Sequence, residues 1–134
     1  MMITPLCPDR VRKICGSFAF IEHRFLHDGF FADLNHHQLL LYFLLVIVSD
    51  RFGLSYYSYD KLCTLLGITL DDYIEARNVL IDKELVAFDG RLFQVLSLPV
   101  SAVKGSRRLL KTQEQMQLED PATIRQLLED TFRK

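Results

Sequence analysis

The chain has 134 residues, of which 49% are hydrophobic and 25% charged, with a formal net charge of -1. That length suits one domain with an appendage, and this apolar content builds a core, which excludes a disordered chain. The near-zero total gives no signal for nucleic acid, but the charges are unevenly placed. Up to Pro99 there are 9 Lys/Arg against 12 Asp/Glu, whereas Val100 to Gln113 carries Lys104, Arg107, Arg108 and Lys111 without an acid. The remainder is acidic, with Glu114, Glu119, Asp120, Glu129 and Asp130 against Arg125, Arg133 and Lys134. Cys7, Cys15 and Cys63 are an odd number without CxxC spacing, which fits a reducing compartment better than a disulfide framework. Pro8, Asp9 and three basic residues interrupt the N-terminal stretch before any long apolar run, so no signal peptide is expected and the protein reads as cytoplasmic.

Residues 1 to 16, with Pro5, Pro8 and the cluster Arg10, Arg12 and Lys13, read as an arm. Gly16 to Ile21 has the composition of a short strand. Glu22 to Phe31 contains the turn signal Asp28-Gly29 and is expected as a short helix or packed loop against the next element. That element is Leu39 to Val48, ten hydrophobic residues in succession after an Asn35/Gln38 capping box. Gly53 is the expected stop, and a helix without a polar face must be wrapped on most sides. A membrane span needs about 20 apolar residues, so the run is expected inside a small helical domain.

Leu54 to Tyr57 suits a brief strand, with Ser58 capping a helix over Tyr59 to Leu66 whose Leu62, Leu65 and Leu66 face inward. Gly67 stops that helix, Ile68 fills the turn, and Thr69 caps a second helix whose first turn carries Asp71 and Asp72, where the macrodipole favours them. It runs to about Lys83. Leu85 to Phe88 and Arg91 to Leu96 flank Asp89-Gly90, a two-residue hairpin signal, and Pro99 ends the sheet. Val100 to Glu119 reads as a polar connection. Asp120-Pro121 then opens a helix with Ile124, Leu127, Leu128, Thr131 and Phe132 on one amphipathic face.

Helix, short strand, helix, glycine turn, helix and hairpin follow one another. With Tyr59 to Ile68, then Ala76 and Leu80, then Leu85-Val86 leading into Asp89-Gly90, the chain resembles the winged helix-turn-helix family over Leu34 to Leu98. It looks closest to the N-terminal domains of DnaD-like and plasmid replication initiator proteins, and small mobile-element regulators look similar. The expected architecture is mainly α with a small antiparallel sheet. An arm and packing segment (1–33) would precede the winged unit (34–99), with a basic connection and amphipathic helix (100–134) after it. The resemblance implies a helix Leu70 to Lys83 that enters a major groove while the wing touches the backbone. Arg77 and Asn78 would then be candidates for base edges and Lys61 and Arg91 for phosphates, with Arg10, Arg12, Lys13, Lys104, Arg107, Arg108 and Lys111 clamping alongside.

The charges on that helix pull the other way. Asp71, Asp72, Glu75 and Asp82 stand against Arg77 and Lys83, a net -2 on a surface meant to approach phosphates. Arg77 also occupies the family's usual core leucine and Glu84 its usual glycine before the wing, while Val79 and Ile81 stand where members expose polar side chains. Arg77 reads more readily as an arginine that snorkels or pairs with Asp72 or a neighbouring carboxylate. The basic segments read equally as solvated faces. The excess of apolar surface suits a homodimer, and the expected function is binding of double-stranded DNA as a regulator or a replication or mobile-element accessory factor; a winged-helix module that docks a protein partner without DNA is the competing expectation.

Chemistry finds little support. His23 and His27 have a metal-compatible i, i+4 spacing but no third ligand in view, and the adjacent His36 and His37 diverge by about 100° on a helix. No phosphate loop, nucleophile elbow or catalytic carboxylate pair emerges, so neither enzyme activity nor a cofactor or metal is expected. Cys63 reads as a small core hydrophobe, and Tyr56, Tyr57, Tyr59, Phe88 and Phe93 as packing around the sheet more than a base-stacking platform.

Overall fold

The computed structural model describes residues 3–102, 121, 122, 125, 126 and 128. Lys104, Arg107, Arg108 and Lys111, expected at a nucleic-acid interface, lie outside the described residues, as do Ile124, Leu127, Thr131 and Phe132 of the expected C-terminal stripe. The architecture is mainly helical with a small antiparallel sheet. Its elements are α1 (Arg24–His27), α2 (His36–Val48), β1 (Leu54–Ser55), α3 (Tyr59–Leu66), α4 (Leu70–Asp82), β2 (Val86–Phe88) and β3 (Phe93–Val95), preceded by a 3-10 turn at Pro8–Arg10. The sheet order is β1-β3-β2, with both pairings antiparallel. Among the described residues no helix is long and apolar enough to cross a membrane.

At the start of α2, Gln38 N donates to Asn35 Oδ1 at 2.9 Å and Asn35 N donates to Gln38 Oε1 at 3.0 Å, a reciprocal capping box. Gly53 does not end the helix. Ser49 does so, with its backbone extended and its hydroxyl donating to Val46 O at 2.7 Å. Gly53 instead adopts φ +83° in a tight turn whose Asp50 carboxylate accepts from Phe52 N and Leu54 N. There the backbone lies against β3, and Val95 N donates to Gly53 O at 2.8 Å.

Leu41, Tyr42, Leu45 and Val46 of α2 are buried, and α1 lays Phe25 parallel to Tyr42 at 4.8 Å. The wrapping is incomplete, because Ile47 is 69% exposed and Leu40 is also exposed. In α3 only Leu62 is fully buried. Leu65 points outward at 55% exposure, contrary to the inward face expected, and Leu66 is half-buried. Ser58 precedes α3 with extended backbone but makes no side-chain cap bond, while Gly67 ends the helix at φ +65°.

Gly16 to Ile21 is not a strand. Strand geometry persists where a neighbouring strand accepts its hydrogen bonds, and residues 3–23 are all exposed with no strand paired to them among the described residues. The hairpin has a four-residue connection, residues 89–92, because Phe88 pairs with Phe93. Those two rings stack at 4.1 Å, which fixes the register more firmly than the turn signal does. Beyond the gap in the described chain, residues 121, 122, 125, 126 and 128 are helical; Ala122 is buried and Arg125 reaches Asp60 of α3 at 3.5 Å, while Leu128 is exposed.

Candidate macromolecule-binding surface

α4 forms where Thr69 Oγ1 accepts from Asp72 N at 3.1 Å and two aspartates follow in the first turn. Its inner face buries Tyr73, Ala76, Arg77, Leu80 and Ile81 against α2 and the sheet. At 100° per residue the opposite face is residues 71, 75, 78 and 82. Asp71 and Glu75 are exposed there, Asn78 and Asp82 are half-buried, and the half-buried Ile74 and Val79 flank the strip on either side.

This arrangement bears on three expectations. Arg77 is 1% exposed, so its guanidinium cannot reach a base edge. It lies over the rings of Tyr73 at 5.6 Å and Phe88 at 5.4 Å. It does not pair with Asp72, which stands 3.8 Å from His37 on α2. Second, Asn78 Oδ1 accepts from Arg77 Nε at 3.3 Å and Nη2 at 3.1 Å. A bidentate adenine contact uses that oxygen together with the amide nitrogen, so it would share the oxygen with Arg77. Third, Ile81 is buried rather than presented outward. Lys83, the remaining cation at this end, pairs with Asp33 at 2.5 Å. Burial pushes the Arg77 guanidinium below its ordinary value, with Tyr73 partly opposing; burial pushes the Tyr73 phenol up to about 12, with Arg77 pulling it back.

At the hairpin tip Asp89 Oδ1 accepts from Leu92 N at 2.7 Å and Arg91 N at 2.9 Å. These backbone bonds hold its carboxyl below the usual carboxylate range. Arg91 is exposed at this tip, and Arg10, Arg12 and Lys13 are exposed along the arm. Lys61 is exposed on α3 with its ammonium 4.7 Å from the centre of the Tyr57 ring. Beside it runs an open groove of about 610 Å³ whose walls include Ser49, Asp50, Ser55, Tyr56, Tyr57 and Lys61. The Ser55 hydroxyl is buried without a hydrogen-bond partner among the described residues. Cys63 is half-buried, and burial raises its thiol pKa, the direction opposite to nucleophile activation. Among the described residues no three His, Cys, Asp or Glu side chains converge as a metal site.

Two residues carry roles that sequence reasoning did not assign. Arg24 donates to the carbonyls of Leu98, Pro99 and Val100 and pairs with Asp28, tying the chain that leaves the sheet to α1. The three carbonyls are more than 70 residues away, so no local pattern points to this tie. Glu84 adopts φ +60°, the backbone that glycine would supply before the hairpin. Comparison with protein-family models, with curated proteins and with solved structures returns no match to this chain.

Proposed function

We propose that this protein is a non-catalytic binding module built as a winged helix, and that it docks a protein partner through the outer face of α4. The order α2, β1, α3, glycine turn, α4, β2-β3 hairpin supports the architectural part of this reading. The observation that carries the functional part is the inward turn of Arg77. It leaves Asp71 and Glu75 as the exposed charges of a helix that would otherwise approach phosphates. Duplex affinity comes largely from neutralising phosphates, and this face repels them. An acidic strip edged by Ile74 and Val79 suits a basic, partly apolar protein surface instead.

A second reading, duplex DNA bound by a homodimer, draws on the exposure of Arg10, Arg12, Lys13, Lys61 and Arg91 away from that strip. It assigns contact to the arm, α3 and the hairpin tip, which would follow the backbone without α4 reading bases. Fluorescence anisotropy with a labelled duplex at 50 mM salt tests both: absence of binding at micromolar protein removes the second reading, and the response to D71N/E75Q tests the first. If α4 docks protein, D71N/E75Q leaves duplex binding within about twofold of the unmodified chain, whatever its strength. If α4 enters a groove, removing two acids from beside phosphates strengthens binding on the order of tenfold at this salt, and the protein-docking reading falls.

A further inference from the structure

We propose that the N-terminal arm of one copy of this chain docks along the outer face of α4 in a second copy, giving a reciprocal homodimer. The proposal rests on the reading of α4 as a protein-docking face and names its occupant. Residues 3–23 are exposed throughout, and the arm holds Val11, Ile14, Phe18 and Phe20 in water as large apolar side chains. A segment of that composition has a driving force to be covered, and these four side chains are left more than half exposed.

Charge complementarity selects the surface. Arg10, Arg12 and Lys13 place three cations within four positions, and Asp71 and Glu75 are exposed one helical turn apart on α4. The arm's basic stretch is followed by its apolar one, and the acidic strip is edged by Ile74 and Val79, so each side offers both chemistries to the other. Reach is sufficient: residues 10–21 extended span about 40 Å, against about 20 Å for the 13 residues of α4. Each copy contributes one arm and one helix face, so a two-fold arrangement satisfies both and closes without further growth.

Light scattering on the full chain, combined with charge reversal, tests the pairing. The unmodified chain at up to about 100 μM is expected at twice 15.6 kDa. R10E/R12E/K13E and D71K/E75K, each checked for native circular dichroism, are expected to weaken the dimer about tenfold or more. Mixing the two variants is expected to restore it, because each acidic arm then meets a basic helix and each basic arm an acidic one. A monomer throughout the concentration range, a dimer that resists either reversal, or variants that fail to recombine would overturn the arm assignment. Loss of the dimer on reversing α4 but not the arm would also overturn it while leaving α4 a protein-docking face. That face fails separately, through the duplex response to D71N/E75Q.

Discussion

Truncating Arg77 to alanine separates a structural role from a binding one, and the environment of its side chain sets the expected size. The two buried methylenes that the truncation removes are worth about 1.6 kcal/mol at roughly 0.8 each. Stacking between Tyr73 and Phe88 adds on the order of 1–2 kcal/mol, and the charge-assisted bonding to Asn78 Oδ1 about 1.5–3. Against these, alanine removes a buried cation whose desolvation costs several kcal/mol. The net loss is expected near 3 kcal/mol, within the roughly 5–15 kcal/mol of stability typical of a domain, so the variant stays folded in buffer. Urea unfolding followed by circular dichroism should show the midpoint lowered by roughly 1.5–2 M. Below the transition, duplex binding should match that of the unmodified chain. An unmoved midpoint together with lost binding would refute the reasoning, because it would place the guanidinium on the contact surface.

Three other substitutions follow from the backbone and the phenols. Glu84→Gly should raise stability by about 1 kcal/mol, since a non-glycine residue at φ +60° carries roughly that strain; a lower urea midpoint would count against it. Gly53→Ala should cost more than about 2 kcal/mol, because its Cβ would stand 2.5 Å from Val95 O at φ +83°, and loss of the β1-β3 pairing should be visible by amide exchange. Burial, helped by Glu22 for Tyr42 and opposed by Arg77 for Tyr73, pushes both phenols up to about 12 from 10.0. Both hold the proton more tightly folded than unfolded, so their stability is fully present below pH 10 and is lost between pH 10 and 12. Each contributes on the order of 2–3 kcal/mol there. Tyr42→Phe should flatten this alkaline limb, measured as urea midpoint against pH; an unchanged slope would contradict the assignment.

What the chain dictates locally is what its sequence made readable. The capping pairs at Asn35 and Thr69, the apolar run of α2, the left-handed stop at Gly67 and the two segments around Asp89-Gly90 are set by neighbours within a few positions, so the order of elements followed from them. Partners distant in sequence decided the rest. The stacking of Phe88 on Phe93 fixed a four-residue turn where a two-residue signal stood, and the absence of a facing strand left Gly16 to Ile21 without strand pairing among the described residues. Arg77 shows the difference most sharply. Its spacing allowed an exposed base contact or a buried packing role, and the rings of Tyr73 and Phe88 with the amide of Asn78 drew it inward. Only packing reveals which charges remain in water, and on α4 those are Asp71 and Glu75.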